Sequence, residues 1–264
     1  MAKSNLAIVF VKAVLSGFFV FTAVSASLGA EAKSAAPSTG TKAAGSPATN
    51  INASTSSDFI ALFPRDGIPE GWLVRNWDDV KNSPDPKAQW KVENGVLHGS
   101  EPRGTWLLSE KEYGDFILEF EWRLGNQGNS GTALRAPLFG DPAFDGMELQ
   151  MVDRRYYPAE MNVTAAELTG SLYKAVAPRV QAYKPMEWNK YQITCRGSAV
   201  KVVLNDQTIL DVNLDDQKSP TKRHDGTDAP PLKDRPRRGH IGFQELSRGG
   251  GHVEIRNGRI KVLD

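Results

Sequence analysis

Residues 146–153 read GMELQMVD and set Glu148, Gln150 and Asp153 among apolar neighbours. Carboxyl groups exchange protons, and an amide both donates and accepts hydrogen bonds. Beside a core, such groups imply a polar cleft, unless they are only a surface Glu on a strand and an Asp at its end. In a regular strand Glu148 and Gln150 share one face with Val152, while Met147, Leu149, Met151 and Asp153 share the other. Asp153 joins the first face only if a β-bulge adds one residue after Gln150. A second polar stretch, GNQGNSGTALR at residues 125–135, leads into a strand that ends in an arginine. Its glycines allow close backbone approach to a ligand. Asn129 and Ser130 supply an amide and a hydroxyl, and Arg135 a rigid fork of donors. The alternative is a tight turn with Arg135 paired to a structural carboxylate.

Other chemistries lack their motifs. The sequence holds no GxxxxGK[ST], no HExxH and no GxSxG. The four histidines, His98, His224, His240 and His252, are scattered. The single cysteine, Cys195, excludes an internal disulfide and reads as a small buried residue of a strand, YQITC. No cofactor is expected, although carboxylates and loop carbonyls could hold Ca²⁺; whether a metal is used stays open.

The elements that must position these groups are short strands. FILEFEWRL (116–124) alternates strictly between an apolar and a mostly charged face, as a half-buried antiparallel strand does. Asn94-Gly95 and Asn205-Asp206 stand between β-like runs as hairpin turns. Further runs at 130–137, 146–153, 189–197, 199–214, 238–246 and 251–264 are separated by Gly, Asn, Asp or Pro. Only 77–82 and 159–168 could be helical. The pattern predicts an all-β sandwich or barrel. Residues 215–238 form a charged, proline-containing loop, either functional or a solvated insertion.

Hydrophobic residues make up 40% of the 264, and the net charge is +1. Residues 1–57 carry four of the 32 basic residues and one of the 31 acids, leaving 28 against 30, a balance of −2, in the rest. A near-neutral body suits a small neutral substrate and gives no field for nucleic acid. Lys3, the apolar run 6–26 and the small residues ASLGAEA read as a signal peptide over 1–32. An uncleaved anchor would have only the uncharged run 13–30 with which to span, so no stable membrane span is expected after cleavage. Residues 33–57, rich in Ala, Ser, Thr and Pro, read as a disordered linker. The folded domain is then 58–264, in the periplasm or secreted.

The spacing E-x-Q-x-x-D partly resembles the E-x-D-x-x-E strand of laminarinase-like glycosidases, with Gln150 in place of the middle acid and Asp153 in place of the last. In order, NGVLHG, GNSGTALR, GMELQMVD, TGSLY, EWN, VLNDQTI and IGFQ resemble the 3-keto-disaccharide hydrolase family, over the whole of 58–264. The resemblance implies a concanavalin-like jelly-roll sandwich of two antiparallel sheets. It also implies cleavage of 3-keto-glycosides, by removal of the acidified C2 proton, β-elimination and hydration. On that reading Glu148 or Asp153 is the base or acid, and Arg135, with Asn129 and Gln150, holds the keto-sugar oxygens. Tyr173 and Lys174 could act near the glycosidic oxygen, Trp106 and Trp188 could stack on a sugar face, and Gln244 could face the concave side. An upstream sugar 3-dehydrogenase is the implied pathway partner. Two other readings stand beside it: a non-catalytic carbohydrate-binding module and an ordinary retaining glycosidase.

Overall fold

The computed structural model describes residues 59–263. The expected signal peptide and linker lie outside the described residues. In chain order the strands are β1 (Ile60–Ala61), β2 (Trp72–Asn76), β3 (Gln89–Glu93), β4 (Val96–Glu101), β5 (Thr105–Tyr113), β6 (Phe116–Leu124), β7 (Asn129–Ala136) and β8 (Met147–Val152), followed by β9 (Asn189–Arg196), β10 (Ala199–Leu204), β11 (Gln207–Asn213), β12 (Thr221–Lys222), β13 (Asp228–Ala229), β14 (Gly239–Glu245) and β15 (Val253–Val262). The one α-helix among the described residues, α1 (Pro142–Asp145), joins β7 to β8.

Two antiparallel sheets form the expected jelly-roll sandwich. The larger runs β11-β10-β9-β6-β15-β4-β3, with β1 added along β15; the smaller runs β2-β5-β14-β7-β8. The alternation of β6 turns Phe116, Leu118, Phe120, Trp122 and Leu124 into the core between them, and all five are buried. From the smaller sheet Phe243 meets Phe120 edge-on, with ring centroids 5.1 Å apart. Burying each such ring stabilises the fold by about 1.5–3 kcal/mol. The two anticipated hairpin turns form where the residue types demand them. Asn94 and Gly95 have φ of 51° and 74°, and Asn205 and Asp206 have φ of 48° and 65°; a two-residue type I′ turn needs φ positive at both positions.

Neither anticipated helical stretch becomes an α-helix. Across 77–82 the side chains of Asn76 and Asp79 accept hydrogen bonds from the backbone N–H groups of Asp78 and Lys81, local bonds that compete with a helix. Within 159–168 only a single 3₁₀ turn forms, Ala165–Glu167.

The smaller sheet positions the site. Every residue of β7 and β8 is buried, because both faces are covered. One face packs on the larger sheet through Leu134, Met147, Leu149 and Met151. The other is the floor of a cleft walled by loops. β7 and β8 pair without a register shift, Asn129 opposite Val152 through to Leu134 opposite Met147. The bulge lies instead in β7 against β14: Gly242 pairs with Ala133 but His240 with Ala136, so β7 holds one residue more than its partner. Arg135 sits in that bulge with φ of 54°.

Candidate functional site

Gly131 lies in β7 directly beneath the Glu148 side chain, which lines the cleft. On one side it pairs with Gln150 of β8. On the other runs β14, which brings Gln244 to the same cleft. The Glu148 side chain lies over Gly131, where any Cβ would collide with its carboxyl group. The missing side chain is thus what gives the carboxyl its place. Asn129, two residues back along β7, completes a row of polar groups. Its Oδ1 is buried without a partner. Gln150 Oε1 accepts from Met151 N at 2.8 Å, which leaves the amide nitrogen for the cleft. The cleft measures about 380 Å³, within the range of small-ligand sites.

One wall is built by the β7–β8 connection. Asp141 caps α1, accepting from Ala143 N at 2.9 Å, with Pro142 at the first helical position. The same carboxyl lines the cleft beside Glu148. Burial, opposed by the Ala143 N–H and reinforced by the charge of Asp145, pushes Asp141 up to about 7. Burial, and then the proximity of Asp141, holds Glu148 well above the usual carboxylate range. Glu148 accepts no hydrogen bond from any described residue, so nothing offsets the cost of ionising it.

The wall continues through Tyr173, Lys174 and His224. Tyr173 follows TGSL; its N–H donates to the Glu148 carbonyl at 2.9 Å, tying this loop to the edge of β8. His224 comes from the 215–238 loop, where β12 and β13 form a small hairpin. Its ring packs against Phe144, Tyr173 and Trp77 at centroid distances of 5.2, 6.1 and 6.2 Å. Burial, followed by the charge of Lys174, lowers its pKa, so the imidazole is neutral near pH 7. Arg223 clamps the hairpin to Asp145 with two bonds of 2.9 and 2.6 Å. Arg235 joins Thr221 Oγ1 to the carbonyls of Ala143 and Gly146.

Of the residues singled out in the sequence, Glu148, Asn129, Gln150, Tyr173, Lys174 and Gln244 all meet in this cleft. Four others do not. Asp153 stays on the opposite face because β8 has no bulge, and it is bound by Arg155 at 2.8 and 2.6 Å. Burial works against its charge, but the Arg155 hydrogen bonds outweigh it and hold the carboxyl below its ordinary value. Arg135 is turned into the end of the sandwich by the β7 bulge, where it donates to the carbonyls of Gly114 and Gly197 and to Asp115. Trp106 is fully buried and donates to the Trp77 carbonyl, so the ring that reaches the cleft is Trp77. Trp188 stacks between Arg123 and Arg256 on the far face of the larger sheet. Asp141, His224, Trp77, Tyr156 and Tyr157 line the cleft without having been anticipated. Only the Asp-Pro pair opening a helix carried a local signal, and it signals a cap. Among the described residues no group of three or more His, Cys, Asp or Glu side chains is placed to hold a metal ion.

A sequence model described as the 3-keto-alpha-glucoside-1,2-lyase-like domain matches residues 58–261. The chain belongs to this family. The lyase-like domain is 27% identical over 238 residues to a 3-keto-disaccharide hydrolase of Bacteroides thetaiotaomicron, a match covering 78% of this chain and 79% of the relative. Two crystal structures of candidate glycosyl hydrolases from Parabacteroides distasonis share its fold. One has a TM-score of 0.62 at 24% identity, covering 78% of this chain and 99% of the other. The second has a TM-score of 0.59 at 23% identity, covering 78% and 94%.

Proposed function

We propose that this lyase-like domain cleaves 3-keto-glycosides by elimination and hydration. The observation that carries the reading is the pair of buried carboxyls, Glu148 and Asp141, neither of which is held below its ordinary range. A retaining glycosidase needs one carboxylate ionised as a nucleophile beside a protonated acid. The stretch 146–153 does not supply that pair, because Asp153 lies outside the cleft. Elimination needs a base that titrates near neutrality and an acid that keeps its proton.

Asp141 takes the base role. It removes the C2 proton, which the neighbouring C3 carbonyl makes acidic. The C2–H electron pair becomes the C2–C3 enolate. That enolate collapses to the C1–C2 double bond, restores the C3 carbonyl and expels the C1–O bond pair. Glu148 gives its proton to the departing oxygen. Water then adds across C1–C2, with hydroxyl to C1 and hydrogen to C2, so the sum is hydrolysis. The amides of Asn129, Gln150 and Gln244 hold the sugar hydroxyls on the floor. Tyr173 and Lys174 donate to the enolate oxygen, and His224 stays neutral beside them. The named relative from Bacteroides thetaiotaomicron acts on a 3-keto-disaccharide by its description, which supports the substrate class. A signal peptide of the kind read in residues 1–32 would carry this chemistry to the periplasm or outside the cell, where a sugar 3-dehydrogenase would supply the oxidised substrate.

The test is release of a chromogenic aglycone from a 3-keto-glucoside and from the unoxidised glucoside. Release from the keto form alone is expected. Release from both returns the retaining glycosidase, and sugar binding without release leaves a carbohydrate-binding module.

A further inference from the structure

The two ends of the cleft differ in charge. At the Glu148 end stand the carboxyls. At the Asn129 end two guanidinium groups converge on one phenol. Arg103 Nη2 donates to Tyr156 Oη at 3.3 Å, and the Arg248 guanidinium lies 4.4 Å from the Tyr156 ring centroid. All three side chains line the cleft. Neither arginine has a carboxylate partner among the described residues, whereas Arg123, Arg155, Arg223, Arg256 and Arg259 are each paired with one. Next to them, Asn129 lines the same cleft, and its side-chain amide nitrogen is a further donor. Two like charges held on one ring repel each other, and an anion placed between them relieves that cost.

We propose that this end of the cleft receives an oxyanion carried by the aglycone, a carboxylate or a phosphate. Given the elimination reading above, on which this assignment of ends rests, the preferred substrate is then an acidic 3-keto-glycoside. Its reacting ring lies against Glu148 and Asp141, and its leaving group extends along β7 toward Asn129 and Tyr156. The arrangement is positional rather than global, since the body of the chain is close to neutral.

The test is calorimetric binding of three unoxidised nitrophenyl glucosides to the whole protein, one neutral, one with a ring carboxylate and one with a ring phosphate. A charged probe is expected to bind about tenfold tighter than the neutral one at low salt. That preference should collapse in about 0.5 M salt. It should also collapse in the double variant Arg103→Gln, Arg248→Gln, whose sites are exposed and off the core. Which charged probe wins identifies the oxyanion. Equal affinities in the wild type, no binding of either charged probe, or a preference that survives the double variant overturns the proposal. Turnover of the 3-keto forms is read separately. If none is cleaved while the charge preference stands, the elimination reading fails and the anion site remains.

Discussion

On the elimination reading, Glu148 joins stability and activity in one residue. Its carboxyl has an ordinary value of 4.5 in the unfolded chain and a higher one in the fold. Between those values the folded state binds more protons than the unfolded state. Stability is therefore greatest below the unfolded pKa and falls as pH rises toward the folded one. Glu148→Gln removes that penalty together with the acid. The variant should melt above wild type at pH 8, and the gap should narrow toward pH 4.5. Its turnover should fall at least about 100-fold. Calorimetry at the two pH values and a rate on the keto-glucoside check both; wild-type activity would remove Glu148 from the reaction. On the same reading Asp141 is the base, so kcat/KM should rise through about pH 7 and fall again where the pair gives up its second proton. The limb belongs to the coupled pair, so Asp141→Asn should abolish it rather than shift it.

At the scale of elements, most strands were legible because alternation and turn chemistry are local. FILEFEWRL, Asn94-Gly95 and Asn205-Asp206 each carry their own instruction. So does β8, whose unbroken alternation places Glu148 and Gln150 in the cleft and Asp153 behind it. The bulge was not legible: it arises from how β7 meets β14, and it turns Arg135 away from the cleft it was expected to serve. The loop 215–238 was ambiguous for the same reason. His224 becomes a wall residue only through long-range ties, Arg223 to Asp145 above all. The two tryptophans failed differently. An indole suits a sugar platform and a core equally well, and the sequence does not say which side of a sheet is covered. The hairpin gives a prediction at this scale. Arg223 also draws the Asp141 pKa downward. Arg223→Gln should therefore move the acid limb of the rate profile to higher pH, lower kcat about tenfold, and speed hydrogen exchange across 221–229. Melting should change little, because the hairpin is peripheral to the core. A large loss of melting temperature with an unmoved limb would make the clamp merely structural.

At the scale of the whole molecule, the two sheets are tied together at one end. Arg135 does this from inside. It leaves the smaller sheet at the β7 bulge and donates to Gly114 O at 2.8 Å in the β5–β6 turn, to Gly197 O at 2.7 Å in the β9–β10 turn, and to Asp115. Asp115 in turn accepts from Gly197 N at 2.7 Å. One guanidinium thus satisfies two turn carbonyls and a carboxylate that bring both sheets together. Its side chain is fully buried, and that of Asp115 about a third exposed. Removing one partner of such a buried arrangement leaves the others unsatisfied and costs about 3–5 kcal/mol. In a domain of this size that corresponds to a fall of roughly 6–20 °C in melting temperature. Arg135→Met should show that fall while leaving KM for the keto-glucoside unchanged at a temperature where the variant is folded. A raised KM with normal melting would return Arg135 to the substrate. The expected result separates the arginine that holds the sandwich closed from the two, Arg103 and Arg248, that stand in its cleft.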